Sequence, residues 1–437
     1  MRVNKYSYIT ELNKETSVIF NGITKDFIVV PNNLISSYEA IVSNPDKYAK
    51  SHPKIIKELS EVGIIVDDGY DELGVLRSER EAFTKSSIYK TSIIPTFDCN
   101  YNCWYCTQNH RKVSIDEKII NRIIKHVKKY LIDNHMTEYI LSWFGGEPLM
   151  EPEIIASVSK ELKGFCDNNN IKFHGAITTN GALLSREIIE MLKDNNIRYF
   201  QIAIDGDKQS HDKNKYDNIH PSSFELILNN MVALSHNHHE AEITLRLNFT
   251  PLNLDNEVLV DEINAVIPKE IRRRINIDLH RIWQIDERKY EIQKLNVLQK
   301  KFVESGYTLA TDHVFSMCYV DKIHYNTIYY NGGVEKCDEK TMDNLRGFID
   351  DEGDIKWKEK PKFIDLDILG EKSPCASCNY YPLCYGGCPV KRDHRIGEDG
   401  KLRCGFDGDF SKLDHRIKDY CCRVLNNKFL INVKDGD

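Results

Sequence analysis

No stretch of this chain is long and apolar enough to cross a bilayer. No window approaches about 18 uncharged apolar residues, which excludes a transmembrane helix. The N-terminus, MRVNKYSYITELNKE, lacks the apolar core of a signal peptide, so the expected location is the cytoplasm. An excess of positive charge is missing too: 59 Lys and Arg face 66 Asp and Glu, a net charge of -7. A protein that grips nucleic acid by neutralising phosphates carries the opposite balance, so neither a nucleic-acid nor a membrane partner is expected. Low-complexity tracts and repeats of fixed period are also lacking. What remains is a chain of 437 residues, 41% hydrophobic and 29% charged, enough for two or three domains with cores of their own.

Cysteine is the residue in unusual supply. There are 13, an odd number. Without a signal peptide this disfavours a disulfide framework and favours metal ligation. Three lie within 99–106, one stands alone at 166, and nine fall between 318 and 422. Two metal regions far apart in sequence are the first organisational reading.

Residues 1–85 read as a small module. SVIFNGITKDFIVV pairs two apolar runs across Asn-Gly, a hairpin signal. Helical patterns and the short strand IIVDD follow, a winged-helix-like order. ELGVLRSEREAFTKS is a linker or connecting helix. From 91 to 306, six strand candidates (SIIPTF, EYILSWF, KFHGAITT, YFQIAI, EITLRLNF, INIDLHRIW) alternate with amphipathic helices. In SIDEKIINRIIKHVKKYLIDN, Ser114 and Glu117 form a capping box, and Ser185 caps the helix of LSREIIEMLKDN. Six β-then-α units imply an α/β fold with a parallel sheet closed partly or wholly into a barrel, a partial (β/α)6 barrel. Its chemistry should gather at the C-terminal strand ends. Residues 310–437, turn-rich and holding most of the cysteines, would depend on metal for their cohesion.

FDCNYNCWYC directly follows the first barrel strand and gives Cys99-x3-Cys103-x2-Cys106. Three thiolates from one tight loop can hold three irons of a [4Fe–4S] cube and leave the fourth without a protein ligand. Zinc is the competing reading, but it usually takes four protein ligands. After the second strand, WFGGEP supplies Gly145, Gly146 and Glu147. The glycines admit close backbone approach, and the carboxylate can accept from an ammonium group. TTNG places Asn180 after the third strand and AIDG places Asp205 after the fourth. Each alone is an ordinary turn, yet all recur at strand ends.

Together these motifs resemble the radical S-adenosylmethionine (SAM) superfamily, with its CxxxCxxC loop, an aromatic before the third cysteine (here Tyr105) and GGEP. The resemblance implies a cluster on Cys99, Cys103 and Cys106 whose open iron binds SAM. Tyr105, Gly145, Gly146, Glu147, Asn180 and Asp205 are then the expected SAM contacts. Where the family often has Arg after the fourth-strand loop, HDKNK offers only Lys213 or Lys215.

Cys318, Gly332 and Cys337, then Cys375, Cys378, Cys384, Cys388 and Cys404, resemble the seven-cysteine SPASM extension of radical SAM enzymes that modify peptides. This implies two auxiliary [4Fe–4S] clusters, three in all. Cys318, Cys337 and Cys388 would hold the first, and Cys375, Cys378, Cys384 and Cys404 the second. The fourth ligand of the first stays open, with Cys421 and Cys422 among the alternatives to a non-cysteine group. Cys166 reads as a core residue, and HNHH at 236–239 as a polar loop. Asp338, beside Cys337, resembles the general base of SPASM sulfatase maturases; a solvated turn residue is the bland alternative.

The N-terminal module is similar to PqqD-like peptide-recognition domains. The chain is therefore expected to oxidatively modify a ribosomally made precursor peptide that carries a leader, forming a thioether or carbon–carbon cross-link. Flavodoxin or ferredoxin is the expected electron donor. An anaerobic sulfatase maturase making formylglycine is one alternative, and a non-catalytic, metal-stabilised peptide-binding protein is another.

Overall fold

In a computed structural model the described residues are 1–108, 110–216, 220, 222–250, 258–282, 284, 292–311, 314–338, 345–406 and 409–432. The chain divides into two compact units. One joins Met1–Ser86 with Thr311–Lys322 and Lys362–Leu425; the other joins Ser87–Ala310, Ile323–Pro361 and Asn426–Asp437.

The first unit opens with β1 (Arg2–Val3), β2 (Ser7–Glu11), β3 (Thr16–Asn21) and β4 (Phe27–Pro31), and adds β5 (Ile65–Val66). β2, β3 and β4 form an antiparallel sheet with β3 central, and β1 pairs with β5. The expected hairpin is thus β3–β4. Short helices at Ile35–Ser43, Pro45–Tyr48 and Pro53–Glu61 follow it. ELGVLRSEREAFT is a helix, Glu72–Thr84, capped by the Asp71 side chain.

β3 is buried on both faces. Ile19 packs with Val30, Ile41 and Leu59 under the short helices. Val18 and Phe20 pack the other way, with Val314, Phe315, Leu383, Leu413 and Ile417. That is why residues 1–86 and 362–425 share one unit, a grouping the sequence boundaries at 85 and 310 do not follow. Asn21 N–H donates to Asp26 O, and Asn32 N–H to Glu15 O. With Ile19 opposite Ile28 and Ser17 opposite Val30, the alternation of an antiparallel ladder turns the N–H groups of Phe27 and Val29 away from β3.

The second unit is built on an 11-stranded mixed sheet. Its parallel strands are β6 (Ile88–Ile94), β7 (Glu138–Trp143), β8 (Lys172–Thr179), β9 (Ile197–Ile204), β10 (Glu242–Phe249), β11 (Ile275–Arg281) and the short β12 (Thr308–Leu309). These are the six expected strands plus one, side by side in chain order. Beyond β6 the sheet continues with β13 (Tyr325–Tyr329), parallel to it, then antiparallel β14 (Gly333–Glu335), β15 (Gly347–Ile349) and β16 (Ile355–Trp357). Part of the expected C-terminal domain therefore extends this sheet.

Alternation sets the faces. Tyr139, Leu141 and Trp143 of β7 join Ile123, Val127, Val158 and Leu162 of the flanking helices in the main core. Cys166 is fully buried there, as its helical position suggested. One local expectation is corrected. The helix Glu117–Asp133 is capped by Asp116, whose side chain accepts from Ile119 N–H, while Ser114 forms an isolated bridge to Thr96. Ser114 is held in that bridge, two positions too early to cap. Ser185 does cap its helix, accepting from Ile188 N–H.

Candidate active site

The cysteine loop leaves β6 through Pro95-Thr96-Phe97-Asp98, and the loop after β7 lies directly on it. Gly146 N–H donates to Thr96 O at 3.1 Å, and Glu147 N–H to Asp98 O at 2.8 Å. A side chain cannot fit between them: a Cβ on Gly146 would stand 2.2 Å from Asp98 O and 2.7 Å from Phe97 O. Gly145 adds a left-handed backbone, φ +129°. The two glycines exist so that these backbones can touch.

Glu147 is wholly buried, and its own chain engages it. One carboxylate oxygen accepts from Leu149 N–H (3.0 Å) and the Thr179 hydroxyl (2.7 Å), the other from Asn180 N–H (2.7 Å). Burial pushes its pKa up to about 7, against the pull of those hydrogen bonds. Glu147 thus fastens the turn after β8 to the loop after β7. Asn180 in turn donates to Asn100 Oδ1 at 2.7 Å, inside the cysteine loop.

Asp205, after β9, is 1% exposed. Its Oδ1 accepts from the Tyr105 hydroxyl (2.6 Å) and Asn248 Nδ2 (3.0 Å), and pairs with Lys215 Nζ (3.3 Å). Its Oδ2 is buried without a partner. Burial opposes ionisation, but Lys215, His211, Tyr105 and Asn248 outweigh it and hold the carboxyl below its usual range. His211 receives the Asp205 N–H on Nδ1, and burial pushes its pKa down to about 3, so it is neutral. Of the two candidate lysines, Lys215 is the buried one and Lys213 is exposed. Asn248, at the end of β10, and His110, whose Nε2 is 3.3 Å from Cys106 Sγ, were not foreseen. Each is a lone polar residue without a motif around it.

Repeatedly, a predicted ligand cysteine accepts a backbone N–H from two residues on. Tyr101 donates to Cys99, Gln108 to Cys106 and Tyr380 to Cys378, each at 3.4 Å, and Phe406 donates to Cys404 at 3.5 Å. Such bonds support thiolate sulfur and tune cluster potentials. Burial pushes the Cys99 thiol up to about 12 and Cys103 to about 11, so metal binding would release protons. Cys99 lies within electrostatic reach of Cys103 and Cys106. Three thiols on one loop with no fourth fit a [4Fe–4S] cluster that keeps one iron for another ligand. The orphaned Asp205 Oδ2 beside Tyr105 leaves a buried acceptor for a bound group.

In the other unit Cys384 lies within electrostatic reach of Cys375, Cys378 and Cys404, and Cys318 of Cys388. Cys337 belongs to the unit built on the 11-stranded sheet. Cys421 and Cys422 are buried in the helix Ser411–Asn432. Asp338 accepts from Ser92 of β6 (3.5 Å) and Tyr325 of β13 (3.4 Å). His238 of the HNHH run is buried, with Nε2 2.9 Å from Ile197 O. Among the described residues no three His, Cys, Asp or Glu side chains group as ligands of a single metal ion, and no helix is long and apolar enough to cross a membrane.

Residues 93–261 match the Radical SAM superfamily. The chain is 25% identical to the radical SAM cyclopropyl synthase TigE of Paramaledivibacter caminithermalis, over 76% of each protein. It is 23% identical to a cysteine-type anaerobic sulfatase-maturating enzyme of Clostridium novyi, over 74% of this chain and 95% of that one. Among solved structures, native anSMEcpe with bound AdoMet and Cp18Cys peptide superposes with a TM-score of 0.55 at 17% identity, covering 80% of this chain and 99% of that one. That likeness is one of fold.

Proposed function

Since residues 93–261 are a Radical SAM superfamily domain and the chain is a radical SAM enzyme, we propose that it oxidatively modifies a ribosomally made precursor peptide, closing a thioether or carbon–carbon cross-link. The observation that carries the oxidative step of this reading is Asp338. Its carboxylate is held by Tyr325 of β13 and by Ser92 of β6, the strand that leads straight into the cysteine loop. Reductive cleavage of SAM at a cluster on Cys99, Cys103 and Cys106 supplies a 5′-deoxyadenosyl radical, a hydrogen-atom acceptor no side chain can provide. The remaining work falls to the protein. Glu147 and the Gly145–Gly146 backbone set the loop, and Tyr105, Asn180 and Asp205 line the SAM pocket. Asp338 takes the proton the substrate loses on oxidation. Tyr325, kept protonated by burial and by the Asp338 charge, stays a donor to that carboxylate.

We assign 91–306 to the radical SAM core, 310–437 to a SPASM region and 1–85 to a PqqD-like, winged-helix-like recognition module. Cys318, Cys337 and Cys388 would hold one auxiliary cluster and Cys375, Cys378, Cys384 and Cys404 another, with flavodoxin or ferredoxin supplying electrons. β4 is an end strand of its sheet, and the outward N–H groups of Phe27 and Val29 suit an extended leader peptide added as a further strand. A sulfatase maturase is the second reading. It is favoured by the match spanning 95% of the Clostridium novyi enzyme, which takes in only 74% of this chain.

The test is anaerobic incubation of reconstituted enzyme with SAM, reductant and leader-bearing candidate precursor peptides, read by mass spectrometry. A cross-link appears as loss of two hydrogens within the peptide, dependent on its leader. Conversion of a leaderless Cys or Ser peptide to formylglycine, with the precursor untouched, would overturn the peptide-maturase reading.

A further inference from the structure

In the cysteine-rich unit a charged triad is buried that neither the ligand set nor the peptide edge requires. Arg392 is fully buried and Asp321 is 2% exposed. Their contact is a two-pronged fork: Nη1 to Oδ1 at 2.8 Å and Nη2 to Oδ2 at 2.6 Å. Nη2 also donates to Gly387 O at 3.3 Å. Arg80, from the helix Glu72–Thr84, brings a second guanidinium to Asp321 Oδ1 at 3.4 Å. Two cations and one anion leave one positive charge uncompensated within the triad. The Nε of Arg392 is buried with no partner.

The position of the fork is informative. Asp321 ends the short turn Tyr319–Asp321 that directly follows Cys318, and Arg392 lies on the short helix Pro389–Asp393 that directly follows Cys388. The fork therefore ties together the two turns that carry these cysteines. Arg392, four residues after Cys388 and forked to the residue three after Cys318, is thus the fixed charge between these two turns.

We propose that Arg392 is a positioning and charge-setting residue for the auxiliary iron–sulfur sites: locked by Asp321, it aligns the Cys318 and Cys388 turns and biases the neighbouring clusters towards their reduced state. This rests on the reading that these cysteines hold clusters. In the oxidative step the substrate radical gives up one electron and one proton. The proton goes to Asp338; the electron goes to an auxiliary cluster, whose net charge falls by one, and from there to the external electron carrier. A fixed positive charge favours that uptake.

The experiment is an EPR-monitored redox titration of reconstituted protein in which Cys99, Cys103 and Cys106 are Ala, so that only auxiliary clusters remain. Arg392→Met should shift the reduction equilibrium of at least one cluster about tenfold towards the oxidised form, about 59 mV for a one-electron couple. Arg392→Lys, which keeps the charge, should stay near the parent potential. Should Arg392→Met not fold, Arg80→Met leaves Arg392 and Asp321 a neutral pair and should shift the potential in the same direction. Auxiliary clusters present at full occupancy with unchanged potentials in the neutral variants, whatever their melting temperatures, would overturn the proposal. Absence of iron from the Arg392-containing parent would instead bring down the cluster reading, and the proposal with it.

Discussion

Adding a methyl group at Gly146 should separate the two loops on which the cysteine site depends. A Cβ there would lie 2.2 Å from Asp98 O, where ordinary contact begins at 3.4 Å. The gap must open by the difference, about 1.2 Å, and the obstruction is backbone, which cannot rotate aside. Such an opening breaks Glu147 N–H to Asp98 O (2.8 Å) and strains Gly146 N–H to Thr96 O (3.1 Å). At about 1 kcal/mol for each bond lost, and more for a donor left buried, Gly146→Ala should cost ~2–3 kcal/mol. Asp98 adjoins Cys99, so the loop moves with it. A displacement of about 1 Å at a reacting centre can cost about 100-fold in rate. The assay is thermal melting together with iron content and the rate of 5′-deoxyadenosine formation. Gly164→Ala is the control: it lies on the helix Pro152–Asn168, and its Cβ would meet nothing within 4 Å. It should be neutral or stabilising by up to about 1 kcal/mol. Gly146→Ala matching Gly164→Ala in melting temperature, iron and rate would refute the close-approach argument.

Glu147 carries a pH signature. Its pKa is raised from 4.5 to about 7, so its contribution to stability is full below pH 4.5 and is lost as pH rises through 7. The span is ~3 kcal/mol. Relative to Glu147→Gln, wild-type stability in urea melts should decline by that amount over this window, and parallel curves would contradict it. Asp338→Asn should leave 5′-deoxyadenosine formation intact while product falls at least about 100-fold; a normal product yield would return Asp338 to an ordinary turn residue. Val29→Pro removes an outward N–H of β4 while sparing the ladder to β3. Leader binding, measured by fluorescence anisotropy with a labelled precursor, should weaken at least about tenfold, with SAM cleavage unchanged. Equal affinity would remove β4 from peptide recognition.

The parallel strands were readable because each is a short apolar run between helical patterns. β8 and β10 fall where KFHGAITT and EITLRLNF placed them. β6 starts earlier than SIIPTF suggested, at Ile88, because Lys90 and Thr91 interrupt the apolar pattern although their backbone still pairs with β7. The sheet extension was not readable: Tyr325 pairs with Lys90, and no local pattern encodes so distant a partner. Nor was the double burial of β3, although the unbroken apolar run VIF hinted that neither face meets water. At the site, the cysteine loop and GGEP announced themselves by spacing. Asn248 did not, and Lys215 could not be told from Lys213, because each becomes informative only when the fold brings it to Asp205. Asp116 caps in place of Ser114 because the backbone of Ser114 pairs with Thr96, a contact that local sequence does not reveal.

The most direct measurement on the central claim compares wild type with the Cys99→Ala, Cys103→Ala, Cys106→Ala triple variant after anaerobic reconstitution. Iron and 5′-deoxyadenosine are quantified per chain. Wild type should hold about 12 Fe and cleave SAM, and the triple variant about 8 Fe with no 5′-deoxyadenosine, because only that loop leaves an iron open. Continued 5′-deoxyadenosine formation by the triple variant would contradict the site assignment, and a wild-type protein holding zinc with about 4 Fe would contradict the auxiliary clusters.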